Sequence, residues 1–174
     1  MNELVEIIKI TLPSLILLIA VYCIVGGYFR NNVKRRQLKI ARANQKLITP
    51  LRLQAYERLI LLLERISPES LVMRTNYPAK TCEQLHSELL QAIRAEYEHN
   101  LSQQLYVSIE AWNSVRTAKN HIVTLINNAA KDMDDGSAPA IELSRKILDL
   151  DMKLEQPVTE RAINDIKREI QQIL

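Results

Sequence analysis

The chain has 174 residues, 47% of them apolar and 25% charged, with a formal net charge of +3. Three glycines, two of them (Gly26 and Gly27) adjacent, and a single phenylalanine argue against a sheet protein. The charge is unevenly spread: residues 1–29 carry −1, residues 30–46 carry +7 and residues 47–174 carry −3. A nucleic-acid binder would carry its positive charge as a patch on the folded domain, so no nucleic-acid partner is expected.

Ile10 to Phe29 is a stretch of 20 residues without a charged side chain. At about 1.5 Å per residue it makes a helix of about 30 Å, the thickness of a bilayer's hydrocarbon core. A cleaved signal peptide would need a basic segment before the core and a small residue at the cleavage site. Asn2, Glu3, Glu6 and Lys9 have the wrong charge for that, and Tyr22 before Cys23 is too large for a lipoprotein site. The reading is a single transmembrane helix, retained, with residues 1–29 as tail and span. Pro13 falls near one end of it, and Tyr22, Tyr28 and Phe29 cluster at the other, where aromatic rings prefer the headgroup level.

Arg30, Lys34, Arg35, Arg36, Lys39, Arg42 and Lys46 follow, with no acidic residue before Glu57. This bias of Lys and Arg predicts a short N-terminus outside and a cytoplasmic C-terminal domain at the inner membrane. Residues 30–48 are expected to form a basic juxtamembrane helix or linker against an anionic leaflet.

Residues 49–174 hold one core's worth of chain, and apolar residues recur at helical spacing throughout. The fold class is all-α: a transmembrane helix followed by a cytoplasmic helical bundle. Thr49-Pro50 reads as a cap and first turn opening a helix over 51–66, and Ser67-Pro68-Glu69 repeats the device for a short helix ending near Met73. Asn76-Tyr77-Pro78 is a loop, and Thr81-Cys82-Glu83-Gln84 is a capping box. The helix it starts runs to about Asp132, either bent or broken near His99 to Ser102, where Asn100 with Gln103 forms a second cap. Leu105, Ile109, Trp112, Val115, Ile122 and Ile126 form the apolar stripe of its second half. Asp134-Asp135-Gly136-Ser137 is a turn, and Ser137 with Pro139 opens the next helix. Its stripe of Ala140, Leu143, Ile147, Leu150 and Leu154 matches Ile163, Ile166, Ile170 and Ile173 beyond Gln156-Pro157. Those two helices are expected to close the bundle as an antiparallel hairpin.

Two stretches are more specific than this pattern requires. One is Leu51 to Leu59 (LRLQAYERL) with Glu64-Arg65-Ile66; the other is Glu96 to Tyr106 (EYEHNLSQQLY) with Ala111-Trp112. Together with the apolar stretch and the basic run, they resemble a family of bacterial single-span proteins known as a domain of unknown function. The resemblance implies a membrane-anchored, all-helical domain and supplies no catalytic residues.

The chemistry these motifs could carry is limited. Glu96-x-x-His99 and Glu83-x-x-His86 have the spacing of di-iron ligands, but they sit thirteen residues apart on one helical run, about 20 Å, and cannot share a metal pair. Asp132 to Gly136 lacks the glycine register and final glutamate of a calcium loop. Cys23 and Cys82 have no partner at motif spacing, and no nucleophile motif or phosphate loop is present. No cofactor, metal or small-molecule substrate is therefore expected, and no catalysis. The structural reading assigns Tyr56, Glu57, Arg58, Glu96, His99, Asn100, Gln103 and Gln104 to cross-helix bonds near the bend. Arg58 is expected to pair with Glu96 there, because an arginine fork bridges a carboxylate and open carbonyls together. The sharper reading makes the same residues a recognition surface, with Tyr106 and Trp112 as aromatic anchors. The expected function is a membrane-anchored adaptor or scaffold with a protein partner or a second copy of itself; the alternative is anionic-lipid binding through Arg30 to Lys46.

Overall fold

The structure is a computed structural model and describes residues 15–18, 20–22, 39, 45–75, 80–133 and 136–173. The chain divides into two compact units, Met1–Thr49 and Pro50–Leu174. In the first, residues 15–18, 20–22, 39 and 45–49 are helical, and the side chains of Leu15, Ile16, Leu17, Leu18, Val21 and Tyr22 are exposed. Most of the expected span, five of the seven bases and the Asn76-Tyr77-Pro78 loop lie outside the described residues, and no helix among those described is long and apolar enough to cross a membrane.

The second unit is built from helical residues 50–66 (α1), Pro68–Thr75 (α2), Cys82–His99 (α3), Ile109–Lys131 (α4), Ala140–Met152 (α5) and Val158–Ile173 (α6). A 3-10 turn, Leu101–Leu105, lies between α3 and α4. Residues 45–49 are already helical, so Thr49-Pro50 does not begin the first helix as expected. Ser67 does cap α2: its Oγ accepts from the Ser70 amide at 3.4 Å, and its carbonyl accepts from Leu71 at 2.9 Å. The capping box at the start of α3 is complete, with the Gln84 amide donating to Thr81 Oγ1 and the Thr81 amide to Gln84 Oε1.

One apolar core joins all six helices. Ala55, Tyr56, Leu59, Leu62, Leu63 and Ile66 of α1 face Leu85, Leu89 and Ile93 of α3, Val115, Ala118, Ile122 and Ile126 of α4, and Leu143 and Ile147 of α5, among others. α4 is the central strut, packed against α3, α5 and α6.

The expected C-terminal hairpin is not formed. Lys146 of α5 reaches Asp132 at the end of α4, and Asp151 at the end of α5 feels the charge of His121. Further along, Ser114 donates to Asp165 and Ser108 to Glu169 of α6. α5 and α6 therefore run in the same direction along α4, one after the other. The lengths explain this. α4 has 23 residues, about 35 Å, whereas α5 has 13 and covers only about 20 Å of it. Gln156-Pro157 interrupts the helix without reversing it, and Ala162, Ile163 and Ile166 cover the remaining half of α4.

At the other end of α4, the chain is fastened to the start of α3 by main-chain bonds. The Cys82 amide donates to the Ala138 carbonyl at 2.9 Å, and the Ala140 amide to Lys80 at 3.0 Å, so that Thr81 and Pro139 lie side by side as an antiparallel bridge. The Glu83 amide adds a bond to Gly136 at 3.1 Å, and the buried thiol of Cys82 donates to the Pro139 carbonyl at 3.4 Å. Pro139 occupies the N-cap position of α5 without a side-chain bond.

Candidate functional site

A network of side-chain hydrogen bonds gathers beside the break between α3 and α4. α3 stops at His99 because Asn100 closes it. The Asn100 side chain is buried and donates to the Glu96 carbonyl at 2.9 Å, and its amide bonds back to Tyr97 at 3.2 Å. It caps the end of α3 and makes no side-chain cap for the turn that follows, contrary to the expectation of a second N-cap with Gln103. The true start of α4 is Ser108, whose Oγ accepts from the Ala111 amide at 3.0 Å.

Ser108 also donates to Glu169 Oε2 of α6 at 2.6 Å. The other oxygen of that carboxylate accepts from the hydroxyl of Tyr56. Arg52 completes the knot: its Nη2 donates to the Tyr56 hydroxyl at 3.2 Å and its Nε to the Tyr106 carbonyl at 3.1 Å. Burial of the phenol, and then its bond to Glu169, push the Tyr56 pKa up, with Arg52 opposing the shift in part. Tyr56 thus keeps its proton and acts as donor. Four parts of the chain meet at these side chains, with both carboxylate oxygens of Glu169 occupied. The chemistry suits holding elements together more than moving a proton.

Beside this knot a surface cleft of about 760 Å³ opens between α4 and α6. Arg52 and Arg168 supply positive charge to it, and Glu110, Asp165 and Glu169 negative charge, with Gln172 at its edge. Arg168 pairs with Asp165 at 3.2 Å on the exposed flank.

The expected motif residues divide between two roles. Tyr56 lies in the knot, and Asn100 is the cap. Glu96 is held by arginines, but not by Arg58, which faces solvent. Its partners are Arg65 at 2.7 Å and Arg74 at 3.8 Å, and Arg74 also donates to the Arg65 carbonyl at 2.8 Å. Arg74 therefore performs the carboxylate-and-carbonyl bridging expected of Arg58. The reason is geometric: Leu59, Leu62, Leu63 and Ile66 turn one face of α1 into the core and leave Arg58 on the other, and Arg65 is the residue that comes level with Glu96. Trp112 is no surface anchor. It is buried against Tyr97, ring centroids 5.5 Å apart, with Lys119 stacked 4.7 Å from the Tyr97 ring centre. Glu57, His99, Gln104 and Tyr106 are exposed, and Gln103 is half-buried, donating to Ser102 Oγ at 3.4 Å. Of the basic run, Lys39 and Lys46 are described and both are exposed. Among the described residues no group of His, Cys, Asp and Glu is arranged to hold a metal; His86, of the second Glu-x-x-His pair, meets Asn127 Oδ1 at 2.9 Å.

Arg52, Ser108 and Glu169 escaped the sequence reading. Ser108 followed by an acidic first turn was the available signal, whereas the partners of Tyr56 and Ser108 lie 113 and 61 residues away and leave no local pattern.

The sequence profile of a family of unknown function, DUF7935, matches residues 2–173. No curated protein and no solved structure matches the chain.

Proposed function

The chain belongs to DUF7935, a family of unknown function, and from its own residues we propose a membrane-anchored helical adaptor that presents its bundle to a protein partner at the cytoplasmic face of the inner membrane. The observation that carries this reading is the charge-free stretch Ile10 to Phe29 followed by seven bases. That order is the mark of a stop-transfer span with its basic flank inside. The exposure of the apolar side chains at 15–18 and 20–22, which are helical, supports it. The cleft between α4 and α6, with charges of both signs on its rim, is the surface we assign to the partner, since complementary rim charge sets register and specificity in recognition.

The test has two arms. For topology, Glu155→Cys places a thiol on the exposed α5–α6 connection in a Cys23→Ser background, with the buried Cys82 left in place. A membrane-impermeant maleimide should label it in inverted vesicles and miss it in intact spheroplasts; the reverse pattern overturns the orientation. For partnership, the full chain is purified from detergent with its associated molecules. A stoichiometric protein that is lost with Glu110→Lys or Arg168→Glu supports the adaptor. Anionic lipid without protein would transfer the function to the basic run.

A further inference from the structure

Ten consecutive residues, Asn100 to Ile109, carry no charge, and they form the corner between α3 and α4. Corners of helical domains are ordinarily polar, and the others here follow that rule: the α4–α5 connection contains Asp132, Asp134 and Asp135, and the α5–α6 connection Lys153 and Glu155. At the α3–α4 corner, Leu105 is 78% exposed and Ile109 75%, with Leu101 and Tyr106 at 43% each. Neighbouring large apolar side chains left in water in this way mark a contact surface.

The position of the corner indicates what covers it. Arg52, in the first turn of this unit, donates to the Tyr106 carbonyl, and Glu169, near the end of α6, accepts from Ser108. The corner thus lies at the end of the bundle where the chain enters, at Pro50, four residues after the last base of the basic run. Twenty residues separate Phe29 from Pro50, a tether with a reach of about 25–30 Å whether reckoned as coil or as helix. A tether of that length gives an effective concentration on the order of millimolar, at which a weak contact is populated.

We propose that the α3–α4 corner lies in the interface of an anionic membrane, with Leu101, Leu105 and Ile109 entering the acyl boundary and Tyr106 at headgroup level. This rests on the anchored reading above. The seven bases precede Pro50 in the chain and attract anionic lipid, and the corner adds the apolar half of an amphipathic contact.

The experiment uses the full chain in vesicles of phosphatidylglycerol and phosphatidylethanolamine. Leu105→Cys in a Cys23→Ser background is labelled with an environment-sensitive fluorophore; Glu142→Cys, exposed in the first turn of α5, is the control. Because both sites face solvent, the fold tolerates the label, and far-UV circular dichroism checks that. A carbonate wash reports the anchor separately. The expected result is a chain retained by the vesicles whose Leu105 probe is quenched by lipid-borne nitroxide several-fold more than the control, and by aqueous iodide several-fold less. Retention with equal iodide quenching at both sites overturns the corner contact and leaves the anchor standing. Shielding from both quenchers also overturns it, because the cover would then be protein. Release by carbonate overturns the anchored reading, and the corner contact with it.

Discussion

Tyr56 is the residue on which most of the polar knot depends. Tyr56→Phe keeps the ring in the core but leaves one Glu169 oxygen without its donor, an omission that typically costs about 1–3 kcal/mol. The variant should melt several degrees lower at neutral pH. The sign of its pH dependence follows from the raised pKa: the native state holds the phenol proton more tightly than the unfolded chain. That contribution is fully present below the ordinary value of 10.0 and is lost as pH rises through the native value. The gap in melting temperature between parent and Tyr56→Phe should therefore narrow above pH 10, and a gap that stays constant would contradict it. Asp151 is the opposite case of a residue at odds with its site. Burial, with Glu69 adding to it and His121 opposing, raises its carboxyl pKa above 3.8, so its ionisation weighs against the native state at neutral pH. Asp151→Asn should raise the melting temperature at pH 7, and the advantage should vanish once the pH falls below 3.8 and the parent is protonated in both states. Glu96 gives a third test. Arg65 and Arg74 are both well exposed, so the pair is a partly solvated one; Glu96→Ala should cost about 1 kcal/mol, against less than about 0.5 kcal/mol for Arg58→Ala, read by urea melts.

At the scale of the helix, the two caps make a direct comparison. Thr81→Ala removes one side of a capping box, typically about 1 kcal/mol. Ser108→Ala removes a cap and also a donor to Glu169, so its midpoint in urea should fall further than that of Thr81→Ala. Equal midpoints would mean that the α4–α6 bond contributes nothing. These two caps also show how far the sequence could be read. The box at Thr81 was legible because all its parts lie within four residues, and so were the apolar faces of α4 from Trp112 onward, α5 and α6, which recur at helical spacing. The break after His99 was half legible: Asn100 marks it, but as the end of one helix and not the start of another. Extending the stripe back through Leu105 and Ile109 failed because periodicity does not report where the helix begins: Leu105 lies in the 3-10 turn and Ile109 is the first residue of α4, and both side chains face solvent. The hairpin failed for a related reason. Two matching stripes show that each helix has a face to bury, and they do not show that α4 is long enough to receive both. The pairing of Glu96 with Arg65 and Arg74 instead of Arg58 likewise depends on how α1 and α3 cross, which only the packing reveals.

For the molecule as a whole, the bundle and the segment before it follow different physical rules. Pro50–Leu174 is held by a continuous core, whereas the preceding residues 30–46 carry seven bases and no acid, a composition that repels itself unless an anionic surface is near. The main-chain clasp between Thr81 and Pro139 has a bearing on how the bundle comes apart. It joins positions 58 residues apart by backbone bonds at 2.9 and 3.0 Å, so α3, the whole of α4 and the start of α5 form one closed ring of chain. No helix within that ring can peel away by fraying from an end, because its ends are fastened to one another. The ring should open as a single cooperative unit, with the amides of Cys82 and Ala140 exchanging their hydrogens as slowly as those in the centre of α4. The Tyr106 amide, bonded only to Gln103 in an exposed turn, should exchange orders of magnitude sooner in detergent-solubilised protein. Exchange at Cys82 as fast as at Tyr106 would mean that the ring stands open in solution, and that the helices assemble one at a time.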